Sequence, residues 1–101
     1  MSAEGLKLTI YFGERDRVGG RLLSEVLMAR FGDAEVLASI LIRGVEGFGI
    51  KHQLRTDRLL TLSDDLPLMA VAVDRARSIE RLVDAVLSDV GAGLVTLARV
   101  T

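Results

Sequence analysis

Residues 42–49, Ile-Arg-Gly-Val-Glu-Gly-Phe-Gly, decide how this chain folds, because a run of β-forming residues ends there in three closely spaced glycines. The preceding residues 36–43 are almost continuously apolar, which is typical of a strand covered on both faces. Glycines at the end of a strand favour a bulge, a wide turn or a close approach of the backbone to a ligand. The stretch therefore predicts a second strand that ends in a loop, and the loop is where a functional site would lie.

Before this stretch, the pattern predicts one strand and one helix. Residues 6–12 alternate between apolar and polar side chains, which is the period-2 signature of a strand. Residues 14–20 are charged and rich in glycine, and we expect a loop there. Apolar residues at helical spacing then predict a first helix over about 21–31, with Gly32 as its left-handed C-terminal residue.

After this stretch, the pattern predicts two more strands around a second helix. The third strand is expected over 66–73, with Pro67 at its beginning, and the fourth over 94–100. Ser78 is the expected N-cap of the second helix and Gly91 its stop. Its apolar residues, all expected in the core, recur at helical spacing: Ile79, Leu82, Val83, Val86, Leu87 and Val90.

The order βαββαβ predicts an α+β fold of the ferredoxin-like type, in which both helices pack on one face of a four-stranded antiparallel sheet. Residues 1–101 are expected to form a single domain of this kind. Two helices leave the second face of the sheet uncovered, yet the second and third strands are apolar on both faces. We therefore expect a homo-oligomer built sheet against sheet.

Composition excludes several classes of function. The chain has no cysteine, which removes disulfides and thiolate metal sites, and its net charge of -1 provides no global field for nucleic acid. It has no signal sequence and no apolar run of about 18 residues, so neither export nor direct membrane insertion is expected. A cytoplasmic location is therefore the default expectation. A non-enzymatic role is expected because neither a phosphate loop nor a nucleophile elbow occurs.

Two groups of residues are candidates for ligand binding. The first contains the glycines Gly44, Gly47 and Gly49, whose plain alternative is a strand end or turn without a ligand. The second contains the loop cations Lys51, His52, Arg55 and Arg58, which form either an anion clamp or a solvated loop. Local ion pairs are the plain alternative for Glu14, Arg15 and Arg17, and an inter-subunit or ligand contact is the functional one. No metal site is expected, because His52 is the only histidine.

Four separated motifs occur in one order along nearly the whole chain. They are residues 7–20 (Lys-Leu-Thr-Ile-Tyr-Phe-Gly-Glu-Arg-Asp, ending in Gly-Gly), 43–49 (Arg-Gly-Val-Glu-Gly-Phe-Gly), 62–67 (Leu-Ser-Asp-Asp-Leu-Pro) and 91–96 (Gly-Ala-Gly-Leu-Val-Thr). In these motifs the chain resembles the bacterial domain-of-unknown-function family 190. That family is similar to the PII signal-transduction proteins and the CutA proteins, and the resemblance implies a ferredoxin-like trimer.

The PII resemblance also implies a site. In PII proteins a Gly-Phe-Gly and a Gly-x-Gly flank an adenine-nucleotide cleft between subunits, and a long mobile loop follows the first of them. The matching residues here are Gly47, Phe48 and Gly49 together with Gly91 and Gly93. Leu94 stands where PII proteins have a phosphate-binding lysine, and Lys51 stands where they have the glutamine that helps to hold Mg²⁺. The loop also lacks the modified tyrosine. These departures argue against PII-type MgATP binding and uridylylation, and leave a different nucleotide or anion open.

Two hypotheses follow. The first is a PII-like regulatory homotrimer that binds an anion, in particular an adenine nucleotide, between its subunits, and whose mobile loop near 47–58 contacts a target protein. Family members are often encoded beside fluoride-channel genes, so the resemblance implies a membrane channel as a candidate target. The second is a CutA-like structural or divalent-metal-tolerance oligomer that gives no nucleotide response.

Overall fold

An antiparallel sheet and two helices form the fold in the computed structural model, which describes residues 4–44, 66–91 and 93–101. The elements in chain order are β1 (Gly5–Gly13), β2 (Arg17–Val18), β3 (Arg21–Leu22), α1 (Leu23–Asp33), β4 (Ala38–Arg43), β5 (Pro67–Arg75), α2 (Ala76–Asp89) and β6 (Leu94–Val100). The large sheet has the order β4-β5-β1-β6, and each neighbouring pair is antiparallel. This arrangement confirms the predicted ferredoxin-like α+β fold.

One face of the sheet carries the hydrophobic core. Every second residue of β1 and β5 points to this face, and α1 and α2 contribute buried residues at helical spacing. The buried apolar side chains are Leu8, Ile10 and Phe12 of β1, Leu68, Ala70 and Ala72 of β5, Leu23, Leu27 and Phe31 of α1, and Ile79, Leu82 and Val86 of α2. The helices therefore cover one face, as the pattern predicted.

The two helices are joined by an ion pair above this core. Arg30 of α1 donates hydrogen bonds from Nε and Nη2 to the two carboxylate oxygens of Asp89 in α2, the second at 3.0 Å. The Asp89 side chain is almost buried, whereas the Arg30 side chain is partly exposed. The hydrogen bond to Asp89 raises the pKa of Arg30, which stays charged. The pair therefore fixes the ends of two helices that are far apart in sequence.

The second face of the sheet has no cover among the described residues. The strand register places twelve side chains on it in three rows across β4, β5, β1 and β6. These rows are Ala38, Val73, Lys7 and Ala98, then Ile40, Val71, Thr9 and Thr96, and finally Ile42, Met69, Tyr11 and Leu94. We call these twelve residues the open face. Nine of them are apolar or aromatic, and Ile40, Ile42, Tyr11 and Leu94 are exposed. Among the described residues of one subunit, β4 is exposed along its whole length although α1 packs beside it, so the cover expected on both of its faces is incomplete.

The segment over 14–20 is not a simple loop, contrary to the prediction. Arg17 pairs with Leu22 and Val18 with Arg21, so β2 and β3 form a two-residue hairpin. Gly19 and Gly20 have φ values of 57° and 80°, as the tight turn between two antiparallel strands requires. The Gly-Gly pair between flanking residues was the signal for this hairpin, and the high charge of the segment obscured it.

The predicted helix ends also need correction. The first helix begins two residues later than expected, at Leu23, and runs two residues further, so that Gly32 lies inside it. The left-handed residue is instead Glu35, with φ of 52°. Its N–H donates to the Gly32 carbonyl at 3.1 Å, and the Val36 N–H donates to the Phe31 carbonyl at 3.4 Å. These two bonds form a Schellman motif, which satisfies the last carbonyls of α1 and outweighs the preference for glycine.

The second helix begins earlier than predicted. Arg75 is its N-cap, and Ser78 lies within the first turn without a capping role. The chain passes directly from β5 into α2, and the Arg75 N–H donates to the Asp74 carboxylate at 2.7 Å. Leu87 was expected in the core but is exposed, because it lies at the edge of the apolar stripe. The expected stop at Gly91 follows the last helical residue by two positions.

Candidate functional site

The candidate site lies at one end of the sheet, where β1 and β4 end and β5 and β6 begin. The register pairs Gly13 with Pro67 and Tyr11 with Leu94, so these four strand ends lie side by side. Because α2 leads into β6, the Gly91–Gly93 segment lies at this end as well. The structure therefore places the described site candidates at the same end of the sheet.

Two backbone hydrogen bonds hold the chain at this edge. The Gly44 N–H donates to the Pro67 carbonyl at 2.8 Å, and the Glu14 N–H donates to the Leu66 carbonyl at 2.8 Å. The residues before and after segment 45–65 are thus fixed to each other and to β1. The Gly44 N–H therefore already has a protein acceptor and is not an open donor for a ligand.

An ion pair joins Glu14 to Arg43 at the same edge. Glu14 follows β1 and Arg43 ends β4, and β5 lies between these two strands in the sheet. The pair therefore spans two strand spacings, about 10 Å, above the beginning of β5. The Arg43 side chain is 60% exposed and the Glu14 side chain 31%. Arg43 was not among the predicted binding residues, because its partner lies on a strand distant in sequence.

The remaining residues of the 14–17 segment belong to the hairpin. The Asp16 carboxylate accepts the Gly13 N–H at 3.1 Å, and the Asp16 carbonyl accepts the Leu23 N–H at 2.8 Å. Arg17 donates from Nη1 to the Gly20 carbonyl at 2.9 Å, so it stabilises the glycine turn. Arg15 is exposed next to Glu14. Glu14 is therefore paired across the sheet, whereas the polar groups of Asp16 and Arg17 make local contacts.

The two glycines before β6 differ in their surroundings. A Cβ added to Gly93 would lie 2.7 Å from the Tyr11 carbonyl oxygen and 2.7 Å from Val90 Cγ1. Gly93 is thus required by the close packing of the chain against β1. A Cβ at Gly91 would meet nothing within 4 Å, and neither glycine has a positive φ. Only Gly91 is left without a packing explanation.

The sheet order separates the two glycine groups within a subunit. Gly44 follows β4 at one outer edge, and Gly93 precedes β6 at the other. Three strand spacings lie between them, roughly 14 Å, so one phosphate group cannot contact both in a single subunit. Seven candidate site residues lie outside the described residues: Gly47, Phe48, Gly49, Lys51, His52, Arg55 and Arg58.

The described residues also bear on metal sites and membrane spans. Among residues 4–44, 66–91 and 93–101, no three or more His, Asp or Glu side chains are grouped so as to hold a metal ion. Neither helix in the described part of the chain is long and apolar enough to cross a membrane.

The fold is shared with solved structures of a PII-like protein. The CPII protein of Thiomonas intermedia K12, described as a nitrogen regulatory PII-like protein, has been solved with ADP, AMP and bicarbonate. That structure has a TM-score of 0.64 at 16% identity, and the match covers 96% of this chain and 86% of the CPII chain. The form with ADP, AMP and acetate has a TM-score of 0.61 at 15% identity, with 97% and 87% covered. The apo form has a TM-score of 0.61 at 16% identity, with 96% and 89% covered.

These similarities confirm the PII-like fold, and a family match identifies the family to which the sequence belongs. Residues 5–101 match the family DUF190, described as Uncharacterized ACR, COG1993. The match spans β1 to the end of β6 and includes all four motifs on which the resemblance was based. The chain therefore belongs to the DUF190 family and has the PII-like ferredoxin fold.

Proposed function

We propose that this protein is a PII-like regulatory homotrimer that binds an adenine nucleotide in clefts between its subunits. The segment around residues 47–58, which lies outside the described residues, contacts a target protein. The family resemblance makes a membrane channel the first candidate for that target. The protein acts by binding rather than by catalysis.

The open face is the observation that carries this proposal. It presents nine apolar or aromatic side chains across all four strands: the six on β4, β6 and β1 are exposed and the three on β5 are half-buried. Its area follows from strand geometry: four strands spaced by about 4.8 Å and three rows spaced by about 6.8 Å give roughly 400 Å². The largest apolar patch of a typical monomer measures about 300–600 Å² and is often functional, and the position of this one on the sheet face without helices favours an interface. Another copy of the chain is the simplest partner for a face made of strands.

The separation of the two glycine groups supports a cleft between subunits. Gly44 and Gly93 lie at opposite edges of one sheet, and a ligand that uses both regions must take them from different copies. In the proposed trimer, the β4 edge of one subunit lies beside the β6 edge of the next. The CPII structures with ADP and AMP support an adenine nucleotide as the ligand class.

The second candidate is a CutA-like structural or metal-tolerance oligomer with no nucleotide response. Gly93 favours it, because close packing against the Tyr11 carbonyl explains this glycine without a ligand. The Gly44 N–H is likewise occupied by the Pro67 carbonyl and is not an open donor for a ligand. The two candidates share the oligomer and differ in their response to nucleotides.

A thermal-shift panel separates them. The protein is melted with ATP, ADP, AMP, cyclic nucleotides and divalent metals, each alone and in combination. A ligand at about 100 times its Kd adds about 2.7 kcal/mol to the free energy of unfolding. Since each kcal/mol moves the midpoint of a domain of this size by roughly 4–8 °C, the shift should exceed about 10 °C.

Variants locate the site. We expect Gly49→Val and Arg55→Glu to lose the nucleotide shift while the melting point without ligand stays unchanged. Arg99→Glu is the control, because it makes the same charge change on β6 near the opposite end of the sheet. A flat nucleotide panel would favour the CutA-like candidate, and an unchanged response in both site variants would remove the proposed cleft.

A further inference from the structure

The ion pair between Glu14 and Arg43 is the strongest feature that the proposed function does not use. Arg43 ends β4, immediately before the glycines, and pairs with Leu68 on the helix side of the sheet. Its guanidinium contacts the Glu14 carboxylate through Nη2, yet most of its side chain is exposed to solvent. A guanidinium has five N–H donors in a planar fork, which suits phosphate oxygens.

We propose that Arg43 is a phosphate-binding residue of the nucleotide cleft and that Glu14 competes with the nucleotide for it. This inference rests on the proposed function and adds a determinant of affinity to the same site. When the cleft is empty, the Glu14 carboxylate is paired with the Arg43 guanidinium. A nucleotide phosphate replaces it, and more phosphate charge replaces it more effectively.

The geometry supports this exchange. The Glu14 backbone is fixed by its N–H bond to the Leu66 carbonyl, so its carboxylate stays near Arg43. The Gly44 N–H next to Arg43 is held by the Pro67 carbonyl, so this backbone donor is occupied. Arg43 is therefore an exposed cationic group that the described residues offer to an anion at the end of β4. In the sequence it directly precedes Gly44 and lies four residues before Gly47, the first glycine that the PII resemblance assigns to the cleft.

The strength of the pair allows the exchange. Ion pairs between exposed side chains are weak because water screens both charges, and both partners here are partly or largely exposed. A polyphosphate offers several oxygens and a bidentate geometry, so it replaces a single carboxylate contact at little cost. The carboxylate that remains nearby repels the bound phosphate and lowers its affinity. Removal of the Glu14 charge should therefore tighten binding, whereas removal of the Arg43 charge should weaken it.

The test measures ATP, ADP and AMP affinities by calorimetry for the wild type, Glu14→Gln, Arg43→Gln and the double variant. Glu14→Gln should bind ATP up to about fivefold more tightly, which is the factor that corresponds to an exposed ion pair. The gain should be smaller for AMP, which carries less charge, and should shrink at high salt. Arg43→Gln should bind ATP at least about fivefold more weakly. The double variant should bind ATP only slightly more tightly than Arg43→Gln, because without Arg43 the competition is lost and only the repulsion by Glu14 remains to be removed.

Glu80→Gln on α2 is the matched control, since it removes one exposed carboxylate elsewhere and should leave ATP affinity unchanged. Melting curves check folding, and each variant should melt within about 4–8 °C of the wild type. If Glu14→Gln binds ATP no more tightly, or Arg43→Gln binds it equally well, the inference is wrong while nucleotide binding stands. If no protein, the wild type included, binds any of the three nucleotides, the proposed function and this inference are both refuted.

Discussion

Ile40→Asp tests the assembly in the middle row of the open face, on its outer strand β4. Ile40 lies opposite Val71 in the middle row and is 53% exposed in one subunit. Full burial of an isoleucine contributes about 1.5–3 kcal/mol, so covering its exposed half contributes about 1 kcal/mol per subunit. An aspartate there loses this term and adds a desolvation penalty of several kcal/mol for an unpaired buried charge. The total is about 4 kcal/mol or more, which corresponds to roughly a thousandfold weaker association.

Sedimentation velocity at micromolar concentration measures the outcome. We expect the wild type to sediment as a trimer and Ile40→Asp as a monomer that keeps its secondary structure by circular dichroism. Leu87→Asp is the matched control, because Leu87 is 52% exposed but lies on α2, away from the open face. The reasoning is refuted if the wild type is a monomer, or if Ile40→Asp sediments with the wild type. A control that dissociates as readily would show that the interface lies elsewhere.

Three stability predictions concern local geometry. Gly93→Ala should destabilise the fold by about 1–3 kcal/mol, since the added Cβ lies 2.7 Å from a backbone oxygen of β1. Gly91→Ala is the control and should melt like the wild type, because its Cβ would meet open space. Equal melting of the two variants would contradict the packing argument. Arg30→Leu should cost about 1–3 kcal/mol in urea denaturation, because it leaves the Asp89 carboxylate almost buried and unpaired, and an unchanged midpoint would disprove this role. Gly20→Ala should cost about 1 kcal/mol by the same assay, because its φ is 80°, and no loss would mean that the hairpin tolerates a side chain there.

Local patterns in the sequence predicted the principal elements well. The fourth strand was expected over 94–100, and β6 spans Leu94–Val100. Such strands are readable because alternation is a property of neighbouring residues. The helix ends were predicted less well, since several endings compete at similar free energy. Glu35 took the left-handed position at the end of α1 because the Schellman hydrogen bonds offset the strain of a residue with a side chain.

The site was only partly predictable, because its contacts are not local. The glycine motifs indicated the end of the sheet at which Gly44 and Gly93 lie. Nothing in the sequence indicated that Glu14 and Arg43 would pair, since that contact requires β5 to lie between β1 and β4. The packing role of Gly93 was hidden for the same reason, as the atom that it approaches belongs to Tyr11 on β1. Sequence motifs thus indicate where the backbone has an unusual requirement, such as a glycine, and the sheet order determines which of these positions lie close together.

The open face and the glycine edges are linked by the geometry of one sheet. The open face extends over all four strands. Its last row, which contains Ile42, Met69, Tyr11 and Leu94, reaches the end of the sheet at which both Gly44 and Gly93 lie. Covering this face with other copies therefore also decides what lies beside each glycine group. A nucleotide held between copies binds only the assembled form, so by mass action it stabilises the assembly as well as the fold. Nucleotide affinity and subunit association should consequently depend on each other, and a site contained within one subunit would show no such dependence.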